Sequence, residues 1–170
     1  MLPVVPVSGP AVADEPFSVE GRLSARHGDN AVAGSFFWVH AVDRDTITLD
    51  TPLGQTLARL SGSAGDARVE LADGTVTEAS DWEVLTRRSL GVSLPVSDLA
   101  WWLRGVPNPR ASATIEADSA GRPAVLRQEG WEIVYAYSDT VARRPSRMRL
   151  AWPEVEVRLA IDRWVGPGTP

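Results

Sequence analysis

Apolar residues recur at every second position through most of the chain, and that period predicts a protein built chiefly of β-strands. From Phe17 to Arg26 the apolar positions are Phe17, Val19, Leu23 and Ala25, the pattern of a strand with one covered and one wet face. A turn at Gly28-Asp29-Asn30 leads to Ala33 through His40, where both faces carry large apolar groups and cover on both sides is expected. Ile47-Thr48-Leu49, Leu57 to Leu60 and Val69-Glu70-Leu71 continue the series, and Asp73-Gly74 is a hairpin signal. Near the C-terminus come Ala124-Val125-Leu126, Trp131 to Tyr137, Met148 to Trp152 and Val155 to Ile161. The last of these alternates cleanly, with Val155, Val157, Leu159 and Ile161 on its apolar face. Strands that follow one another this closely pair with their sequence neighbours, which predicts an antiparallel meander.

Between Glu78 and Gly105 the period changes. Ser80 or Asp81 suits a helix cap ahead of Trp82, Leu85 and Arg88, and Gly91 is a natural stop. A second short helix, led by Pro95 and carrying Leu99, Trp101, Trp102 and Leu103, closes at Arg104-Gly105. A sandwich, a closed barrel or a strongly curved sheet wrapped around its helices would each satisfy this pattern. Residues 1–16, rich in Pro, Ala and Gly, read as a flexible tether, residues 17–165 as one domain, and residues 166–170 as a tail. The start resembles an initiator Met on a processed chain, because it lacks the basic and long apolar parts of a leader.

Composition removes several function classes. The net charge of -5 and the absence of a broad basic face argue against nucleic acid, and the pairs Arg87-Arg88 and Arg143-Arg144 read as ordinary solvated charge. With no cysteine there is no disulfide, thiolate metal site or thiol nucleophile. His27 and His40 sit on or beside separate strands without metal-ligand spacing, and no nucleophile elbow or phosphate-binding glycine loop occurs. No metal, no cofactor and no enzymatic activity are therefore expected.

Tryptophan is overused: seven Trp against three Phe and two Tyr. Core packing explains most of them, but the adjacent Trp101 and Trp102 point about 100° apart on a helix and cannot share one narrow contact, so one of them is expected at a cavity or opening. A second unusual feature is Asp50-Thr51-Pro52-Leu53-Gly54-Gln55, a reverse turn that puts a leucine at or near its tip. Leu53 is exposed there unless it folds back onto the sheet.

These residues also form a recognisable series. Phe17 to Arg22, Ser35-Phe36-Phe37-Trp38, Thr51-Pro52-Leu53-Gly54, Gly91-Val92-Ser93-Leu94-Pro95, Leu99 with Trp102 to Pro107, Gln128 to Tyr135 and Asp162-Arg163-Trp164 occur in the order seen in LolB proteins. The chain resembles the LolB family over nearly the whole of its expected domain. The resemblance implies an unclosed antiparallel half-barrel wrapped around short helices, with a hydrophobic cavity for lipoprotein acyl chains. It further implies a receptor on the periplasmic face of the outer membrane, anchored by a lipidated N-terminal Cys that is missing from this sequence; a monomer is expected, because the sheet edge and mouth must stay open for a hand-over. Such a receptor takes lipoproteins from the periplasmic carrier LolA and releases them into the inner leaflet of that membrane without nucleotide hydrolysis.

Under this resemblance Phe36, Trp38, Leu49, Trp101, Leu103, Ile133 and Tyr135 are candidate cavity residues, and Pro52, Leu53 and Gly54 form the loop expected to enter the bilayer. A closed lipocalin-like barrel for a small hydrophobic ligand, and a purely structural envelope protein, are the alternatives. The helical insert argues against the first.

Overall fold

The computed structural model describes residues 4–7, 13–63 and 65–165, and its architecture is a single open antiparallel sheet curled around two helices. Strands β1 (Val4–Val7), β2 (Phe17–His27), β3 (Asn30–Ala41), β4 (Arg44–Asp50), β5 (Thr56–Ser63), β6 (Asp66–Leu71) and β7 (Val76–Ala79) come first. Helices α1 (Trp82–Leu90) and α2 (Val96–Trp102) follow. Then come β8 (Ala113–Ala117), β9 (Pro123–Gln128), β10 (Trp131–Ala136), β11 (Arg147–Trp152) and β12 (Val155–Val165). The sheet order is β1-β8-β9-β10-β11-β12-β2-β3-β4-β5-β6-β7, so β1 and β7 are free edges and the barrel does not close. The half-barrel is thus confirmed and the lipocalin-like closure is not.

The expected alternation is visible residue by residue. On β2, Phe17, Val19, Leu23 and Ala25 are buried and Arg22, Ser24 and Arg26 are exposed. The long β2–β12 ladder joins the two ends of the domain, with a register shift between Ile161 and Arg163 that adds twist. Gly21 sits at this crossing, where a Cβ would lie 2.1 Å from the Ala160 carbonyl oxygen, so no other residue fits there.

Three expectations need correction. The second face of β3 is not covered: Phe36 and Trp38 are buried, but Phe37 and Val39 face solvent on the convex side, where none of the described elements packs over the sheet. Val4–Val7, inside the expected tether, forms β1 against β8, because β8 otherwise leaves a row of unpaired backbone groups. Strands β7 and β8 were not anticipated. The other parts of the expected tether, residues 1–3 and 8–12, and the tail at 166–170 lie outside the described residues.

Both helices start and stop where local chemistry directs. The Asp81 side chain accepts a hydrogen bond from the Val84 N–H, and Gly91 ends α1 in the left-handed region with φ 80°. Thr86, fully buried in α1, donates to the Trp82 carbonyl and accepts from the Leu94 N–H at 2.8 Å, which ties α1 to the approach to α2. Arg87 meets His27 Nε2 at 2.8 Å and fastens the end of α1 to β2.

Helix α2 is fixed to the other arm of the sheet through Gln128. Its Oε1 accepts from Trp102 Nε1 and the Asn108 N–H, both at 2.9 Å, while its Nε2 donates to the carbonyls of Asn108 and Ala111. Every hydrogen-bonding capacity of this buried amide is used. Tyr135 Oη adds a bond to the Trp102 carbonyl at 2.6 Å. Gln128→Leu leaves these partners unpaired in the interior, and a loss of roughly 2–4 kcal/mol in urea-unfolding stability is expected; a loss below about 1 kcal/mol would show the amide to be incidental.

Candidate functional site: a helix-filled concave face and a projecting loop

The concave face of the sheet is apolar, and α2 with its leading segment lies on it. Leu94, Val96 and Leu99 meet Leu23, Phe36, Trp38, Ile47, Leu49, Leu60 and Leu159, all buried. Between them remains a void of about 20 Å³, wholly apolar in its lining and with room for about one water-sized molecule. In this state the expected cavity is therefore filled by the protein's own side chains.

The candidate residues separate into three groups. Phe36, Trp38 and Leu49 line the void directly. Leu103, Ile133 and Tyr135 are buried in the same core, and Tyr135 contacts the end of α2 through its hydroxyl. Trp101 is only half-buried, and its ring lies under the Arg104 guanidinium at 4.8 Å, beside a polar cleft. Its neighbour Trp102 takes the core position, 6.0 Å from Trp131. Of the two adjacent tryptophans one does face an opening, but that opening is polar.

The cleft has a volume of about 460 Å³ and is bordered by Asp14, His40, Asp45, Asp98, Trp101 and Arg110, among others. Carboxylates on this scale exclude it as a seat for acyl chains. The Glu83 carboxyl there is pushed up to about 7, first by burial and then by the charges of Asp81 and Asp98.

One edge of the cleft contains a clasp that closes α2 onto the start of β2. His40, buried, meets Asp45 Oδ1 at 2.7 Å through Nδ1 and Asp14 Oδ1 at 2.8 Å through Nε2. Trp38 Nε1 donates to the same Asp45 oxygen. Arg104, just past α2, donates to Asp14 Oδ1 at 2.9 Å and to the Glu15 carbonyl, with its guanidinium 5.4 Å from the centre of the Phe17 ring. Nothing in the spacing of these residues announces the clasp, because Asp14 falls in the stretch read as a tether. The one usable signal is Asp45, five residues beyond His40 and directly opposite it across the β3–β4 hairpin.

The loop between β4 and β5 is the second part of the site. The Gly54 N–H donates to the Thr51 carbonyl at 2.8 Å, the Thr51 N–H to the Gln55 carbonyl at 2.7 Å, and the Gln55 N–H to Thr51 Oγ1 at 3.2 Å. Gly54 adopts φ +83°, a conformation that favours glycine. Leu53 is held at the tip and is 90% exposed, so it does not fold back on the sheet. That is the largest exposure among the large hydrophobic residues described.

The family model for the outer membrane lipoprotein LolB matches residues 15–164, which span the curled sheet, its plug and the Leu53 turn. The chain belongs to the LolB family. It is 36% identical over 155 residues to the outer-membrane lipoprotein LolB of Chromobacterium violaceum, covering 91% of this chain and 83% of that one. It is 39% identical over 150 residues to the LolB of Azoarcus sp., covering 87% and 77%. Among solved structures it resembles a LolA superfamily protein from Nitrosomonas europaea, with TM-score 0.53 and 10% identity over 94% of this chain and 89% of that one. It also resembles a putative outer membrane lipoprotein-sorting protein domain from Vibrio parahaemolyticus, with TM-score 0.56 and 10% identity over 91% and 87%. These two likenesses are of fold. Membership of the LolB family places the chain among outer-membrane lipoproteins and outside the enzymes. No helix among the described residues is long and apolar enough to cross a membrane.

The clasp has a consequence for stability. Burial pulls the His40 pKa down, but the hydrogen bonds and charges of Asp45 and Asp14 outweigh it and hold the group above its ordinary 6.5. A histidine raised on folding stabilises fully below its unfolded pKa and loses that contribution as pH rises through the folded value. Thermal stability is expected to fall as pH climbs above about 6.5. His40→Gln should flatten that part of the profile; an unchanged pH profile in the variant would remove His40 as its source.

Proposed function

We propose that this LolB-family chain is the receptor half of a lipoprotein hand-over at the outer membrane. It accepts the acyl chains of a lipoprotein from a soluble carrier of the LolA type onto the concave face and inserts the load into the inner leaflet with the Leu53 loop. The observation that carries this reading is the nature of the cover on the concave face. A two-turn helix and its leading segment, fastened at the edges by polar contacts, lie over an apolar surface continuous with the core.

Exposed acyl chains cost about 0.8 kcal/mol per CH₂ in water, so a lipoprotein needs apolar cover throughout its transit. A void of about 20 Å³ accepts no chain, so loading requires the α2 segment to move off Phe36, Trp38 and Leu49. The arriving chain then covers the same side chains, and the exchange of one apolar cover for another is close to balanced. No nucleotide is needed: the receptor must hold the chains more strongly than the carrier does, and the bilayer more strongly than the receptor. Anchoring in the membrane by a lipid at the N-terminus keeps the receptor where release occurs.

Phe36, Trp38, Leu49, Leu103, Ile133 and Tyr135 are proposed as the surface that meets the chains. Trp101 flanks the opening. Pro52, Leu53 and Gly54 are proposed as the element that enters the bilayer.

Two measurements test this reading. When the protein is mixed with a carrier–lipoprotein complex without nucleotide, the lipoprotein is expected to co-purify with the receptor. A load that stays on the carrier while the receptor is folded would sink the reading. In the second, Leu53→Glu should leave folding and acceptance intact, because the side chain is 90% exposed, while sharply reducing insertion into liposomes. Equal insertion by variant and wild type would exclude Leu53 from the release step.

A further inference from the structure

The convex face carries an arginine cluster that neither the core nor the proposed hand-over uses. Strands β2, β12, β11 and β10 are neighbours, and their outward residues line a groove of about 530 Å³. Its floor is made by the small or apolar Ser24, Val134, Ala136 and Ala160, and its walls by Arg22, Arg147, Arg149 and Arg158. A second hollow of about 350 Å³ shares Ser24 and Arg158 with the first and adds Arg26. All five arginines are exposed.

The cluster is not a chance scatter of neutralised charge. Arg149 and Arg158 are directly opposed across the β11–β12 ladder, a like-charge pairing that costs stability in an antiparallel sheet. Among the described residues two carboxylates answer the five cations: Asp162 pairs with Arg22 at 3.2 Å, and Glu156 with Arg158 at 2.6 Å. Arg26, Arg147 and Arg149 make no ion pair among the described residues. The Glu156 carboxyl is held below its ordinary range, first by its hydrogen bond from Arg158, with Arg149 and Arg26 adding to the effect. This local excess of positive charge stands in a chain whose net charge is -5.

The position of the cluster is fixed by register. Asp50, the residue from which the Leu53 loop departs, opposes Ser35. Ser35 opposes Arg22, Arg22 opposes Ala160, and Ala160 opposes Arg147. One row of the sheet thus runs from the base of the loop to the groove, with Arg22 two strands away, about 10 Å at the usual strand spacing. The loop leaves β4 in the direction in which β3 continues to Ala33 and Ala31, which oppose Ser24 and Arg26. Arg158 and Arg149 lie along the Ser24 row. Loop and arginines therefore share one end of this part of the sheet.

We propose that this convex face is a docking surface for the phosphate headgroups of an anionic phospholipid bilayer, met by Arg22, Arg26, Arg147, Arg149 and Arg158 when the Leu53 loop approaches the membrane. The proposal rests on the reading that Leu53 contacts a bilayer, and adds the charge that orients and holds that contact. A single leucine is a weak anchor, and stable membrane contact takes a second signal, commonly a basic patch. Guanidinium groups match phosphate oxygens in bidentate geometry, and a groove walled by several of them serves an array of headgroups better than one isolated ion.

The test is flotation of the full chain with phosphatidylcholine vesicles that contain or lack phosphatidylglycerol. Wild type is expected to prefer the phosphatidylglycerol vesicles and to lose the preference at high salt. Arg147→Gln with Arg149→Gln, chosen because neither side chain is in an ion pair among the described residues, should weaken that binding by roughly five-fold per charge removed, with thermal stability unchanged or raised, since the opposed Arg149–Arg158 charges are relieved. Arg147→Lys with Arg149→Lys should restore most of it, which a packing defect would not. Wild type without preference for the anionic vesicles, or a Gln variant that floats like wild type, overturns the docking surface. Leu53→Glu separates the two ideas. If it loses insertion while the Gln variant floats normally, the loop reading stands and the arginine proposal falls. If Leu53→Glu inserts normally while the Gln variant loses flotation, the loop reading falls and the headgroup surface stands.

Discussion

An open sheet with an apolar concave face has to be covered, and most of what is unusual in this molecule follows from how it is covered. A closed barrel fills its interior with its own inward side chains and ends the problem there. Here β1 and β7 are edges, the curl is incomplete, and α2 with Leu94, Val96 and Leu99 supplies the missing cover. The plug is seven residues of helix, too short to be stable alone, so its conformation exists only because the sheet receives it. Its hold is correspondingly divided between apolar contact in the middle and polar fastening at the edges.

The fastenings differ in kind, and the difference bears on movement. On the β9–β10 side, Gln128 satisfies all of its partners in a buried setting, and breaking that set leaves several polar groups stranded at once. On the β2 side, Arg104, Asp14 and His40 form a charged clasp at the edge of a wet cleft, where water can replace each contact as it opens. Opening from the Arg104 side costs less than tearing the helix away from Gln128. If the plug opens as the proposed loading requires, this distribution of polar contacts would release Arg104 first and leave the Gln128 attachment in place.

Much of the fold was legible because alternation and capping are local. The faces of β2 and β12, the Asp81 and Gly91 ends of α1 and the exposed tip at Leu53 all depend on residues a few positions apart. What could not be read depends on distant partners. Strand β8, with only Ile115 strongly apolar, becomes a strand because β1 and β9 lie on either side of it. Phe37 and Val39 were expected to be covered because their size suggests a core, yet the convex side of an open sheet has nothing to offer them. Trp101 and Trp102 could be told apart in principle, since only one can face inward, but which one does so is set by the rotation of α2, fixed by Gln128 and Tyr135 far along the chain. The clasp and the arginine groove were hidden for the same reason: each residue was visible, and the strand order that assembles them was not.

In the proposed hand-over the two surfaces of the sheet ask opposite things of their residues, and the bilayer is where those demands would meet. Inside, the proposed hand-over asks the apolar face to bind chains well enough to take a load and weakly enough to give it up, which an exchange between α2 and the acyl chains would achieve because both would cover the same atoms. Outside, the proposed attraction to headgroups would orient an already anchored receptor against the membrane without drawing the core into it. Arginines on a rigid strand lattice would do this at a distance from the apolar face, since their positions are on the convex side while the Leu53 turn carries the most exposed large apolar group described. A leucine on a hydrogen-bonded turn would reach the interface at small conformational cost, and because it is single it would also leave at small cost. Reversible contact of this type would suit the proposed receptor, which would insert its loop once for each load.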